Sequence, residues 1–395
     1  MYDICIIGGG PAGMSAAITA KTINRNLQVC IIEKNPALGK KIYATGNGKC
    51  NLSNLHCLDP LAVFKFFDQI GVFTRTDEAG RMYPASEQAA DVVAALQDAL
   101  IAYGVEILTN TLPISIIKNA EEFEIQMANS TIKSKKLLIA TGGKAGPQYG
   151  NLGEGYVYAK QLGHHINRTF PVLSQLECEG DFQKLKGIRA KGNVSIQKNG
   201  HIIGTETGEI QFVEDGLSGI CVFNLSRFVR LNPDLPTAEA FQEYVVSIDY
   251  VPNMSQLEIE TYLEKKISNA KGKANHLLLT MIHSGISLDL LQRAGIKEET
   301  DTALLSREDL KVLAFLLKNW ECKVTGVKGW KKAQCTGGGV PMTEIDHTSQ
   351  ESKQLKGLYF AGELLDFDGP SGGYNLHFAW ESGIKAGKAM ADEQI

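Results

Sequence analysis

At 395 residues the chain is long enough for two or three domains, and its 44% hydrophobic and 21% charged residues suit a globular protein with ample apolar material for a large core. The formal charge of −4 argues against a nucleic-acid partner, which calls for a basic excess, and no apolar run approaches the ~20 residues needed to cross a bilayer. The opening MYDICII carries an acid and no basic segment, so no export signal is expected; the eight cysteines contain no C-x-x-C pair, which excludes a zinc spacing and points to reduced thiols in a cytoplasmic protein.

Residues 3–7 read as a short buried strand running into GGGPAG and then into the small-residue helix MSAAITAKTI; QVCIIE (28–33) is the next strand. Strand, glycine turn, helix and strand in about 30 residues frame a βαβ unit. A glycine-dense stretch over 39–54 suits a loop that closely approaches a ligand or another segment. Residues 88–103 predict a helix, with Val92, Leu96, Ala99 or Leu100, and Tyr103 on one stripe. VEIL (105–108) predicts a strand, ISII and FEIQM a meander around a polar tip at 119–122, and LLIATGG (137–143) a buried strand ending at a double glycine. From about 187 the texture changes: NVSIQKNGHIIG and EIQFV predict strands joined by Asn-Gly and Thr-Gly turns, and 254–319 predicts mostly helix. Glycine returns at TGGGV (336–340); GLYFAGE (357–363) predicts a strand and 374–391 the closing helix.

Gly8-Gly9-Gly10-Pro11-Ala12-Gly13 fits G-x-G-x-x-G. The first glycine permits the tight turn, the second lets backbone approach a pyrophosphate, and the third lets helix pack on strand. The helix that follows offers unpaired N–H groups and its positive dipole end. Glu33 ends the next strand, 20 residues after Gly13, where a carboxylate can accept from ribose hydroxyls. No second such βαβ unit is visible, since Gly150-x-x-Gly153-x-Gly155 has no strand before it, so no dedicated NAD(P)H domain is expected.

The GGGPAG turn, Glu33 and ATGG (140–143) resemble an FAD-binding oxidoreductase of the two-dinucleotide-binding kind. More narrowly, GKKIYATGNGKCNLSN (39–54), GLSG (216–219), GGV (338–340) and GLYFAGELLDFDGPSGGYNLHFAWESG (357–383) are similar to the bacterial NAD(P)/FAD-dependent oxidoreductase family that includes aminoacetone-oxidase-like and 3-dehydro-bile-acid reductase-like members. The resemblance implies that Gly8, Gly10, Pro11, Ala12 and Gly13 hold the FAD pyrophosphate and Glu33 the adenosine ribose, with Lys34 beside it. It places Lys41, Gly46, Asn47, Gly48, Cys50 and Asn51 beside the isoalloxazine, and Thr141 and Gly142 near the pyrophosphate. It gives Gly362 and Glu363 a ribityl hydroxyl, and sets Gly372, Gly373, Asn375 and Leu376 at the helix start facing the flavin. Lys34 and Lys41 read equally well as solvated lysines, Asp366 and Asp368 as turn residues, and Cys50, with no partner at short spacing, as a non-redox thiol. His377 departs from the glutamine expected there and reads either as lining a substrate site or as a packed helix residue. His164 and His165 read as incidental, and Arg81 and Tyr83 have no role assigned.

The expected fold is a doubly wound α/β FAD domain built from both chain ends, 1–186 and 336–395, with an inserted β-barrel-plus-helical domain, 187–335, that caps the flavin and selects the substrate. The expected activity is a flavin-dependent oxidoreductase with non-covalent FAD and NAD(P)H as a possible transient donor, reducing an enone-type small molecule of bile-acid or steroid kind. The alternatives are an amine or aminoacetone oxidase using dioxygen, and a flavin-binding redox sensor. No catalytic acid or base, metal site, nucleic-acid or membrane partner, or oligomeric state is assigned.

Overall fold

The computed structural model describes residues 1–230, 241, 243–269 and 272–392. The chain divides into two units, Met1–Pro171 with Trp330–Ile395, and Val172–Gly329.

The first unit starts with strand β1 (Tyr2–Ile7), helix α1 (Pro11–Ile23) and strand β2 (Val29–Ile32). β1 and β2 are parallel, with Ile4 opposite Val29 and Ile7 opposite Ile32. The sheet order is Glu106–Leu108, β2, β1, Thr131–Ile139, Phe123–Gln126, Ser115–Lys118. The nine-residue strand Thr131–Ile139 divides its outer edge between two partners. Its start pairs antiparallel with Phe123–Gln126, Phe123 lying opposite Ser134, and its end pairs parallel with Leu358–Phe360, Leu358 lying opposite Leu137. The C-terminal part of the chain thereby completes the sheet that the N-terminal part begins. Ile4, Cys5 and Ile6 are fully buried, as expected of a central parallel strand covered on both faces.

α1 is buried along most of its length, from Ala12 to Lys21. The closing helix (Tyr374–Ala391) lies directly on it. A Cβ at Gly383 would sit 2.3 Å from the Ala12 carbonyl oxygen, and one at Gly387 2.4 Å from that of Ala16. Only glycine permits this approach, and Ser15 Oγ bonds the Trp380 carbonyl oxygen across it at 3.3 Å.

The second unit is a closed antiparallel barrel, in the order Leu176–Cys178, Gly216–Ser218, His201–Val213, Arg189–Lys198, Tyr244–Asp249, Trp320–Val327. Helices Gln256–Asn269, Ser284–Arg293 and Arg307–Lys318 share its core. The last of these starts at a capping box formed by Ser306 and Asp309. The Asn199-Gly200 hairpin forms, with φ of 50° and 77°. Thr207-Gly208 is not a turn: His201–Val213 runs straight through it, with Gly208 opposite Gly192. A Cβ at Gly208 would lie 3.5 Å from Cys221 Cβ, so this glycine faces the crossing helix Ile220–Ser226 rather than reversing the chain. The compositional boundary at 187 falls inside this unit, because Leu176–Cys178 is already paired into the barrel.

The chain thus joins a Rossmann-like α/β unit made from both ends to an inserted barrel with helices. Among the described residues no helix is long and apolar enough to cross a membrane, and no group of three or more His, Cys, Asp or Glu is arranged to hold a metal ion.

Candidate active site

The site is built where β1 stops. Gly8 turns the chain with φ of 109°, and a Cβ there would lie 2.4 Å from the Ala140 carbonyl oxygen. A Cβ at Gly13 would lie 1.9 Å from the Gly8 carbonyl oxygen, so α1 packs on the turn only because Gly13 has no side chain. Gly10, between them, has nothing within 4 Å of its Cβ position. The turn therefore presents bare backbone to open space directly before a helix N-terminus, where N–H groups lack intrahelical partners.

Glu33 is buried at the end of β2. Its Oε2 accepts from the Gly9 N–H at 2.9 Å, and its Oε1 accepts from the Asn35 N–H at 2.8 Å and from Asn35 Nδ2 at 2.7 Å. The carboxylate is thus aimed by the glycine turn itself, with acceptor capacity left on Oε2. Lys34 is not a free surface lysine, because it pairs with Glu154.

Lys41 and Glu363 meet at 2.7 Å, each about one-fifth to one-quarter exposed. Burial acts to lower the Lys41 pKa, but the facing carboxylate outweighs it and holds the ammonium above its ordinary value. The other Glu363 oxygen accepts from the Thr336 N–H at 3.0 Å. Thr336 Oγ1 in turn accepts from the Lys144 and Ala145 N–H groups at 2.8 and 3.0 Å, tying Glu363 to the loop that contains Gly142. Gly362 bonds Ser382 Oγ through its N–H at 2.9 Å.

Residues 46–50 form an unusual run of backbone. Gly46, Asn47, Gly48 and Cys50 all have φ between 55° and 85°. Two of the four are not glycine, so the loop is held there by its surroundings. Cys50 is fully buried, and burial pushes its thiol up to about 12, which makes it neutral. None of the eight cysteines forms a disulfide. Asn51 is buried, and its Oδ1 has no hydrogen-bond partner.

That oxygen lies 2.8 Å from the Cβ position of Gly373, the residue that starts the closing helix with φ of 104°. Gly372, just before it, has φ of 119°. Asn375 turns back on the preceding loop, accepting from the Gly369 N–H at 2.8 Å and donating to the Gly369 carbonyl at 2.9 Å. Leu376 packs partly into the first unit's core.

The remaining candidates meet other parts of the protein. Asp366 accepts from Asn167 at 2.6 Å, and Arg81 pairs with Asp77 at 2.8 Å in a hairpin turn. The Tyr83 ring passes 3.5 Å from the Cβ position of Gly46. His164 and His165 are not incidental: both reach Glu344, each at 2.7 Å. His377 is buried, with both ring nitrogens engaged by protein. Asn35 and Thr336, which orient the two acids, carried no sequence signal of their own.

The HI0933-like protein Rossmann domain family matches residues 2–62 and 55–389. The chain belongs to that family. It is a flavin-dependent oxidoreductase. It is 32% identical to the 3-dehydro-bile acid delta(4,6)-reductase of Clostridium scindens, over 99% of this chain and 100% of that one. It is also 27% identical to the ribosomal RNA dihydrouridine synthase of Escherichia coli, over 96% of both chains. The 3-ketosteroid delta1-dehydrogenase of Sterolibacterium denitrificans has the same fold, with a TM-score of 0.50, 12% identity and 99% of each chain covered. In the HI0933-like chain, the bare turn at Gly10, the helix N-terminus behind it and the unpartnered Asn51 oxygen fit FAD as the bound group.

Proposed function

We propose that the first unit holds FAD non-covalently and that the protein reduces a carbon–carbon double bond conjugated to a carbonyl in a small apolar substrate, with NAD(P)H as the transient electron donor. FAD, when bound, supplies hydride and electron transfer. The backbone of Gly8, Gly10, Pro11, Ala12 and Gly13 and the start of α1 take its pyrophosphate, with Thr141 and Gly142 alongside. Glu33 takes the adenosine ribose and Lys34 stays near it through its ion pair. Glu363 takes a ribityl hydroxyl, with Lys41 fixing the carboxylate's orientation. Gly46 to Asn51 and Gly372 to Leu376 take the isoalloxazine, where the positive end of the closing helix favours negative charge.

The near full-length similarity to the delta(4,6)-reductase carries the substrate reading. The names of both curated relatives describe one chemical step. A 3-keto bile acid with adjacent double bonds and a uracil ring both offer an alkene conjugated to a carbonyl, and reduction saturates it. The charge favours the small molecule over RNA, because acidic side chains outnumber basic ones over 172–329 as they do over the whole chain. NAD(P)H binding is expected to be transient, since Gly150–Gly155 follows the short turn Pro147–Tyr149 rather than a strand.

The test is to reduce the yellow protein with NADH or NADPH without air, then add a steroid dienone, a uridine-containing ribosomal RNA fragment, or dioxygen. Rapid return of the oxidised flavin spectrum with the dienone is the expected result. Reoxidation by RNA alone moves the reading to a dihydrouridine synthase. Reoxidation by air alone, with bleaching by aminoacetone, makes it an oxidase.

A further inference from the structure

A buried cluster joins the start of the closing helix to the segment after Cys50. His377 lies one turn into the helix, its N–H bonded to the Gly373 carbonyl at 2.9 Å. Its Nδ1 is 2.8 Å from Ser53 Oγ and its Nε2 is 2.8 Å from the Leu58 carbonyl oxygen. A carbonyl only accepts, so Nε2 carries the proton; in the neutral ring Nδ1 then accepts from the Ser53 hydroxyl. Glu381, one turn further on, is 3.5 Å from Nε2 and is also paired with Lys385 at 2.8 Å. Asn54 Nδ2 adds a bond to the Gly372 carbonyl at 2.9 Å.

A serine, a histidine and a glutamate in sequence invite a hydrolytic reading, and burial excludes it. Ser53 is fully buried and cannot meet a substrate. The consequence of the cluster is positional. The Ser53 carbonyl oxygen lies 2.5 Å from the Gly373 Cβ position and the Asn51 oxygen 2.8 Å from it, so the segment rests on the first residue of the helix.

We propose that His377 is a positioning residue: its two ring nitrogens clamp residues 51–58 onto the start of the closing helix and thereby hold the Asn51 carboxamide, with its unpartnered oxygen, and the helix N-terminus in the one arrangement that receives the flavin. The proposal rests on the FAD reading above. It explains why a buried histidine occupies this position, since the clamp needs one donor and one acceptor carried side by side on one side chain. Glutamine carries both groups, whereas alanine carries neither.

The experiment compares wild type, His377→Gln, His377→Ala and Ser53→Ala. It measures FAD dissociation by flavin fluorescence, the absorption spectrum of bound FAD, and the urea midpoint of the FAD-free protein. His377→Ala is expected to weaken FAD roughly tenfold or more and to change the bound spectrum, as loss of buried hydrogen bonds coupled to the site would. His377→Gln is expected to restore both, and Ser53→Ala to fall between. Rescue by glutamine of affinity and spectrum is what a mere packing role would not give. Wild-type FAD affinity and spectrum in folded His377→Ala overturn the proposal, as does a folded His377→Gln that fails as fully as alanine. Where His377→Ala does not fold, Ser53→Ala with wild-type affinity and spectrum overturns it. Wild type that takes up no FAD defeats the flavin reading itself, an outcome distinct from a yellow wild type with insensitive variants.

Discussion

Glycines of the first unit's opening turn and closing helix are forced by backbone contact, whereas those of the barrel's first hairpin are only tolerated, and the contrast explains which of the two regions could be read from sequence. In the first unit, glycines mark places where backbone meets backbone. Gly8, Gly13, Gly383 and Gly387 each have a carbonyl oxygen within 2.4 Å of the Cβ position. In the barrel, Gly208 has only ordinary contact with a side chain, and the Asn199-Gly200 pair needs only a turn. A residue required by geometry leaves a fixed spacing in the sequence. One that is merely accommodated leaves a texture. The barrel also has forced glycines: a Cβ at Gly192 would lie 2.4 Å from the Asp249 carbonyl oxygen, one at Gly216 2.1 Å from that of Leu176 and one at Gly219 2.4 Å from that of Glu209, and the last two fall in GLSG, the one barrel segment that stood out as a motif.

The largest effect that would break this contrast comes from paired alanine substitutions. Gly13→Ala forces the turn apart from α1, because its Cβ would sit 1.9 Å from the Gly8 oxygen. We expect FAD affinity to fall by roughly a hundredfold and stability by about 3 kcal/mol or more. Gly208→Ala meets Cys221 Cβ at 3.5 Å with no left-handed backbone to strain, and is expected to change stability by less than about 1 kcal/mol. Flavin titration and urea unfolding measure both. Equal losses from the two would remove the distinction between forced and tolerated glycines.

A second substitution sharpens the barrel's side of the comparison, where stability comes from packing. Trp320 is fully buried, meets Phe212 edge-on at 5.6 Å and Phe182 at 6.3 Å, and donates through Nε1 to Asp289 at 2.7 Å. The Arg293 guanidinium lies 4.5 Å over its ring. Trp320→Ala is expected to cost about 3–5 kcal/mol in urea unfolding. A loss below about 1 kcal/mol would mean that the barrel core does not depend on this cluster.

The same contrast accounts for what sequence reasoning reached. Gly8 to Gly13 and Glu33 were legible because strand, turn, helix and acid follow one another within one short segment. Thr336 was not, since its hydroxyl acts on Lys144 and Ala145, which only the fold brings to it. The role of His377 was equally hidden, its partner Ser53 lying 324 positions earlier in the chain. Trp320–Val327 is a different case. Trp320, Cys322 and Val324 alternate inward with Glu321, Lys323 and Thr325 outward, a clear strand signal. The helix pattern of Arg307–Lys318 runs to within one residue of it and masks that signal.

Exposed and buried charge can be set against each other in the same way, and this supports the smallest of the expected effects. Barrel ion pairs such as Lys186–Glu214 and Arg189–Glu209 are largely exposed, and such pairs contribute little. In the first unit, Glu344 is 13% exposed and binds both His164, whose side chain is fully buried, and His165. Burial pushes the Glu344 carboxyl up, but the hydrogen bonds from His165 and His164 outweigh it and hold it below the ordinary glutamate range. A carboxyl depressed in the folded state stabilises the fold above its unfolded value, about 4.3, and loses that contribution as pH falls through the folded value. Glu344→Gln should therefore be less stable than wild type by about 1 kcal/mol near neutral pH, and the gap should close on acidification towards about pH 3. Urea midpoints at stepped pH measure it. A gap that stays constant across the range would mean that the two histidines do not draw on the ionised carboxylate, and that the first unit's buried charge is no more sensitive to acid than the barrel's exposed pairs.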